Sequence, residues 1–129
     1  MNTLSNPASL HEPLGKYHHT ARVPHNSEWL AISGQVGRDG KGKISSNVKD
    51  QCEQALRNII VCLDANEMGT EDLVNFTVYL TDARFVEDYR AARSAVIGDS
   101  ILPTSTLVIV SGLATPDCFV EVEAWAAKL

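Results

Sequence analysis

The spacing of apolar residues predicts a long amphipathic helix in the first half of the chain. From Asn47 onward, apolar side chains recur every three or four residues, which is the period of one helix face. Ser46 or Asn47 can serve as the N-cap because both carry a short polar side chain, and Gly69 is the expected stop. The apolar stripe consists of Val48, Cys52, Ala55, Leu56, Ile59, Ile60 and Leu63.

A strand and a second helix follow this first helix. From Val74 to Leu80, apolar and polar side chains alternate, which is typical of a strand with one buried face. Thr81 or Asp82 can then cap a helix that ends at Gly98. The apolar stripe of this second helix consists of Phe85, Tyr89, Ala92 and Val96.

Strands at both ends of the chain complete the predicted fold. They are expected at residues 17–24, 29–34, 104–110 and 119–126. The first two would form a hairpin, and the glycine-rich segment 37–43 would supply a second reversal. The order of elements predicts an α+β fold, with both helices packed on one face of a mixed sheet. We expect a single domain over residues 1–129, in which 1–14 form an irregular N-terminal arm.

The predicted strand 104–110 is apolar on both sides. Val108 and Val110 point one way, while Leu107 and Ile109 point the other way. The two helices can cover one face of the sheet, and no third helix remains for the other face. The pattern therefore predicts a homo-oligomer whose interface is lined by sheet residues, with sites between subunits.

Composition narrows the classes of ligand. A hydrophobic content of 44% can build a real core, and a net charge of −5 argues against binding to nucleic acids or anionic membranes. Three cysteines without CxxC spacing indicate reduced thiols, and the N-terminus lacks the pattern of a signal peptide. We expect a cytoplasmic protein with a small-molecule ligand.

Two motifs that suggest a phosphate site or a metal site have simpler explanations. The segment 37–44 matches the GxxxxGK pattern of a phosphate loop, but Ile44 stands where a hydroxyl would hold magnesium and no helix follows directly. A hairpin turn is the better interpretation. His18 and His19 are neighbours on a predicted strand, so they point to opposite faces and cannot share a metal ion. We therefore expect neither a metal nor a cofactor.

The last predicted strand places two carboxylates on one face. Alternation puts Glu121 and Glu123 beside Phe119 and Trp125. If this face meets solvent, two glutamates need no further explanation. If it is the oligomer interface, burial beside these aromatic side chains would raise the pKa of a carboxylate on this face and make it a usable general base or acid.

Several segments together resemble the reactive-intermediate deaminase superfamily, also called the YjgF-like or Rid family. They are "LGKYHHTA", "WLAISGQVGRDGKG", "QCEQALRNIIVCLDANEMGTEDLVNFTVYLTD" and "LPTSTLVIVSGLATPDCFVEVEAWA", and the likeness runs from about Gly15 to the end. The resemblance implies a chorismate-mutase-like fold, a homotrimer with a cleft at each subunit interface, and hydrolytic release of ammonia from enamines and imines. Tyr17, Ser33 and Gly34 would line the cleft, and Glu121 would position the attacking water.

The chain departs from the deaminating branch at one strand. There the strand begins Pro-Ala-Arg, and the arginine binds the substrate carboxylate; here it begins Pro103-Thr104-Ser105. Val86 also replaces an asparagine of that branch. Ser105 can donate only a neutral hydrogen bond, so the usual 2-imino acids should bind several kcal/mol more weakly. The chain thus resembles a divergent branch.

Two other arginines are candidates to replace the missing cation. Arg93 lies on the second predicted helix, where the general exposure of arginine predicts that it faces solvent. It could still lean over the cleft, and Arg22 on an N-terminal strand is the other candidate.

Two classes of function follow from these observations. In the first, the protein is a deaminase for an enamine or imine without an α-carboxylate in the usual place; backbone groups near Ser33 and Thr106 would hold the nitrogen and any developing charge. In the second, the trimer only binds a small metabolite, recognised by the hydroxyls of Thr104, Ser105 and Thr106. The acidic chain gives no support to a ribonuclease role.

Overall fold

The computed structural model describes residues 1–129, which form six strands and two α-helices. The strands are β1 (Thr3–Ser5), β2 (Thr20–Arg22), β3 (Glu28–Val36), β4 (Leu73–Leu80), β5 (Thr104–Ile109) and β6 (Val120–Lys128). The helices are α1 (Val48–Ala65) and α2 (Val86–Val96), and single 3-10 turns at Thr70–Asp72 and Ala83–Phe85 precede β4 and α2.

Four strands form the central sheet in the order β3-β6-β4-β5, in which only β4 and β5 run parallel. Both helices pack on one face of this sheet. The core between the two layers includes Phe76, Val78, Leu80, Val120, Val122, Leu56, Ile59 and Leu63. These side chains alternate along the strands and follow the helical period along α1, so their burial drives both elements together. The predicted α+β architecture, with two helices on one face of a mixed sheet, is confirmed.

Neither helix covers the opposite face of the sheet, which we call the open face. Thr77, Tyr79 and Glu121 lie on it, as do two exposed tryptophans. Trp29 is 55% exposed and Trp125 is 46% exposed, and their rings pack edge to face at 6.1 Å. This is the face that the sequence assigns to a partner subunit.

The N-cap of α1 follows the sequence prediction, whereas its end does not. The Asn47 side chain accepts a hydrogen bond from the Asp50 amide at 3.0 Å. The helix ends at Ala65, four residues before the expected stop, and Glu67 turns the chain with a φ of 57°. Gly69 instead precedes the 3-10 turn that leads into β4. Neither helix of the chain is long and apolar enough to cross a membrane.

The predicted N-terminal hairpin between 17–24 and 29–34 is wrong. Only Thr20–Arg22 is extended in the first segment, and it pairs with Thr3–Ser5, so the arm of residues 1–14 is not wholly irregular. β3 pairs with β6 instead. Both have nine residues, so this pairing forms a longer ladder than a three-residue partner could.

The segment 37–43 forms a tight reversal, as expected. The Asp39 amide donates to the Lys43 carbonyl at 2.9 Å, and Gly42 has a φ of 79°. The Asp39 carboxylate accepts hydrogen bonds from the Lys41 and Lys43 amides, which lower its pKa. An acidic side chain therefore occupies the amides that a phosphate loop would offer to its ligand.

Candidate functional site

Two recesses contain most of the residues that the sequence singles out, and they lie on opposite faces of the sheet. The first, which we call the open-face hollow, has a volume of about 400 Å³ and includes Gly34 and Glu121. The second, which we call the helix groove, has a volume of about 700 Å³ and lies between α2, β5 and residues 14–17. Ser105 of the helix groove pairs with buried Phe76 and so shares the helix-covered face.

Glu121 lies in the open-face hollow above an irregularity in β3. The pairing of β3 with β6 shifts between Ile32 and Gln35, which leaves Ser33 and Gly34 outside the regular register. A Cβ atom on Gly34 would overlap the Glu121 carboxylate and lie 2.9 Å from its Cγ. The absence of a side chain at Gly34 therefore provides the space that the carboxylate occupies.

The two glutamates of β6 have different surroundings. The Tyr79 hydroxyl donates a hydrogen bond to Glu123 Oε1. This bond, together with partial desolvation and the charges of both glutamates, raises the pKa of Tyr79 above its ordinary value. The Glu121 carboxylate accepts no hydrogen bond from the chain and rests on Gly34. Glu121 is therefore the glutamate that is available to hold a water molecule or a ligand.

The helix groove brings Tyr17 and Ser105 together. The Tyr17 hydroxyl accepts a hydrogen bond from the Leu14 amide at 3.2 Å, which places the tyrosine along one wall. Leu14, Val86 and Leu107 supply apolar surface, and half-buried Ser105 supplies a hydroxyl. Within one chain these residues are separated by the sheet from the open-face hollow.

The expectation that Arg93 faces solvent is wrong. Its side chain is 6% exposed, and it donates hydrogen bonds to the carbonyls of Gly98 and Ile101 at 2.8 and 2.9 Å. Burial lowers its pKa. The loop after α2 turns back towards β5, and its carbonyls need donors that the helix side chain supplies. Arg93 therefore lines the helix groove while its guanidinium ties α2 to this loop.

The remaining predicted residues lie outside both recesses. Ser33 is exposed at the β3 irregularity, beside the open-face hollow, and Thr106 is exposed on β5. Arg22 is exposed on β2 and approaches neither recess. The Thr104 hydroxyl donates to the Val74 carbonyl at 2.8 Å and is thus engaged within the sheet.

Histidines and cysteines are dispersed in the fold. His18 Nδ1 lies 2.6 Å from the Leu102 carbonyl, whereas His19 Nε2 lies 2.8 Å from the His11 carbonyl. No group of three or more His, Cys, Asp or Glu side chains is placed to hold a metal ion. Burial, helped by nearby carboxylates, raises the pKa of the Cys52 thiol to about 12, so this thiol is unreactive near neutral pH.

Six polar residues of the recesses were not predicted from the sequence: Tyr79 in the open-face hollow, and Lys16, Glu87, Tyr89, Arg90 and Ser94 in the helix groove. Tyr89 was assigned to an apolar stripe, and its ring is indeed buried, but its hydroxyl has no hydrogen-bond partner. A tyrosine within an otherwise apolar stripe is the one signal that could have found it, because a buried hydroxyl needs a partner. Lys16 and Arg90 carry no such signal.

Comparison with known proteins identifies the family. A family model described as Endoribonuclease L-PSP matches residues 8–128. A RutC family protein of Pyrococcus horikoshii is 33% identical over 119 residues, which span 91% of this chain and 90% of the relative. A RutC family protein of Buchnera aphidicola is 29% identical and spans 99% of each chain.

Solved structures agree with this assignment. The Rid-family protein YyfB of Yersinia pestis has a TM-score of 0.87 over 98% of each chain, at 21% identity, and shares the fold. TdcF of E. coli, solved with bound serine, has a TM-score of 0.75 and 25% identity over 91% of each chain. With its two helices on a four-stranded mixed sheet, the chain belongs to the Endoribonuclease L-PSP family, within the YjgF/Rid superfamily that its sequence resembles.

Proposed function

We propose that the protein is a cofactor-free hydrolase that releases ammonia from enamines or imines, at sites between the subunits of a homotrimer. The observation that carries this proposal is the Glu121 carboxylate, which rests on Gly34 in the open-face hollow with no hydrogen-bond partner in the chain. Such a carboxylate can hold a water molecule and accept its proton as the water attacks. The resemblance to the reactive-intermediate deaminases supports the same chemistry.

The reaction needs little beyond an oriented water molecule. An imine carbon is electrophilic, and an enamine reacts through its imine tautomer. The water oxygen bonds to that carbon while Glu121 takes a proton from the water and passes it to the nitrogen. Loss of the remaining hydroxyl proton to the nitrogen then forms a carbonyl and releases ammonia. Backbone groups at the Ser33–Gly34 irregularity and near Thr106 would hold the nitrogen and the developing charge.

The placement of the two recesses supports a site that is shared between subunits. Tyr17 and Ser105 lie in the helix groove, on the other side of the sheet from Glu121. A substrate that touches both sets requires two copies of the chain. The exposed Trp29 and Trp125 on the open face favour burial of that face by a second copy.

Ser105 sets the expected substrate range of this divergent branch. In the deaminating branch an arginine at this position binds the substrate carboxylate, and a serine cannot neutralise that charge. Losing one partner of a buried charge pair costs about 2–5 kcal/mol. We therefore propose that the substrate is not one of the usual 2-imino acids.

Ammonia release from freshly generated imines and enamines, with and without an α-carboxylate, tests the proposal. We expect turnover of members without the α-carboxylate, reduced about 100-fold or more by Glu121→Gln. Glu28→Gln on exposed β3 removes the same charge away from the hollow and should leave the rate unchanged. If no member is hydrolysed faster than in buffer, deamination of that panel is wrong.

A trimer that only binds a small neutral metabolite is the second candidate. It is favoured by the neutral Ser105 in a groove of about 700 Å³, where a hydroxyl recognises a ligand without any need for chemistry. Saturable binding of a metabolite with no release of ammonia by wild-type protein would support this candidate.

A ribonuclease role is suggested by the name of the matching family model but not by the charges of this chain. The net charge is −5, and Glu121 and Glu123 would both repel RNA phosphates from the open-face hollow. We expect no cleavage of a labelled single-stranded RNA under conditions that support imine hydrolysis.

A further inference from the structure

We propose that the helix groove binds the carboxylate of a small organic acid, with Arg90 supplying the positive charge and the Tyr89 hydroxyl a hydrogen bond. The inference rests on the proposed function in treating this groove as part of the substrate site. It names the substrate class as enamines or imines whose acid group lies away from the reacting carbon and is bound by α2 rather than by β5.

Tyr89 lines the groove and carries a buried hydroxyl without a hydrogen-bond partner. The residue is only 4% exposed. Buried polar groups are nearly always paired, so an unpaired hydroxyl on a residue that lines a cavity favours a partner supplied by a ligand. Burial also raises the pKa of Tyr89, so the hydroxyl stays protonated and acts as a donor. The partner it suits is an acceptor, such as a carboxylate oxygen.

The charges around the groove favour an anion, although the chain as a whole is acidic. Lys16, Arg90 and Arg93 line the groove together with a single carboxylate, Glu87. Lys16 is paired with Asp99 at 2.6 Å, and Arg93 is bound to backbone carbonyls. Arg90 has only Glu87, at 2.9 Å, and both side chains are more than half exposed. Such an exposed pair is weak, so a ligand carboxylate held partly out of water can replace it.

The walls of the groove define the rest of the ligand. Gly15 has no side chain, and a Cβ there would lie 3.7 Å from Arg90 Nη2, so the guanidinium rests against the segment that forms one wall. Leu14, Val86 and Leu107 offer apolar surface for hydrocarbon. The combination suits an organic acid with an apolar body rather than a free inorganic anion.

Binding of 4-phenylbutyrate, compared with its uncharged amide 4-phenylbutyramide, tests the proposal on the full chain. We expect the acid to bind at least about 10-fold more tightly than the amide, as measured by calorimetry and by NMR shifts of α2 amides. Arg90→Gln should abolish this preference, and Arg90→Lys should retain part of it. Arg57→Gln removes the same charge from an exposed position on α1 and should retain the full preference. Tyr89→Phe should weaken binding of the acid about 3- to 10-fold.

Three results would overturn the inference: equal affinity for acid and amide, no binding of either in the millimolar range, or an unchanged preference in Arg90→Gln. The measurement involves no turnover, and Glu121→Gln should keep the preference. A failure of ammonia release with an intact acid preference would therefore reject the proposed reaction alone. Ammonia release without any acid preference would reject the present inference alone.

Discussion

The two faces of the central sheet are built by the same strands and carry opposite chemistry. On the covered face, Phe76, Val78 and Leu80 of β4 are fully buried under the helices. On the open face, the intervening Thr77 and Tyr79 bear hydroxyls beside the glutamates of β6. The comparison teaches that burial of one face stabilises the fold, while the other face is left free to carry polar groups for binding and chemistry.

The two recesses differ in a parallel way. The open-face hollow contains two glutamates and no cation, whereas the helix groove contains three cations and one glutamate. Acidic groups suit the handling of water and of a nitrogen that becomes ammonia, and basic groups suit the acid end of a substrate. If the two recesses meet between two subunits, the acidic hollow would bind the nitrogen end of one substrate molecule and the basic groove would bind its acid end.

The largest expected effect on stability comes from a substitution in the core beneath the covered face of the sheet. Phe76→Ala should lower the free energy of unfolding by about 3–5 kcal/mol, because it removes a fully buried aromatic ring and leaves a cavity. Thr77→Ala, one residue further along β4 but on the open face, should change it by about 0.5 kcal/mol or less. Urea unfolding at a fixed protein concentration measures both values. Equal losses would contradict the division between faces.

We expect the open face to form the contacts between subunits. Trp125→Glu places a charge among the residues that we expect a second copy to bury, and the protein should fall from three chains to one in light scattering. Val61→Glu provides the matched control, because Val61 is 64% exposed on α1. Trimers in both variants, or a monomeric wild type, would refute an interface at the open face.

The position of the Glu121 carboxylate should be sensitive to a methyl group added at Gly34. In Gly34→Ala, the added Cβ overlaps the carboxylate and displaces it, so the rate of ammonia release should fall about 100-fold. Gly40→Ala adds the same atom where nothing lies within 4 Å, and its rate should match wild type. A Gly34→Ala variant with full activity would mean that Glu121 does not act from this position.

The smallest effect concerns the pair of Tyr79 and Glu123. The hydrogen bond to Glu123 raises the pKa of Tyr79, so Tyr79 should ionise above its ordinary range in an NMR-monitored titration. The unfolded chain would ionise first, near pH 10, so this interaction's contribution to stability is present below that pH and is lost as pH rises through the folded pKa. Glu123→Gln should lower the pKa of Tyr79 towards its ordinary value. An unshifted Tyr79 in wild type would show that the bond is not formed in solution.

Local features of the fold were predictable from short stretches of sequence. The cap at Asn47 and the alternation of β4 depend on residues within one element, so nearest neighbours in the chain suffice to find them. The pairing of β3 with β6, and of Thr20–Arg22 with Thr3–Ser5, depends on strands that lie elsewhere in the chain. No local pattern selects such partners, and the predicted hairpin failed for that reason.

The amino-acid sequence by itself determined the helix-covered face, because the period of apolar residues carries that information. Its resemblance to a known family indicated the family and Glu121 as the candidate base. Only the tertiary structure decided that Glu121 rests on Gly34, that Glu123 is bound by Tyr79, and that Arg93 is buried. Each of these facts depends on a close approach between atoms from separate elements. Hydrogen bonds and van der Waals contacts act over a few ångströms, so they become definite only when packing has brought those elements together.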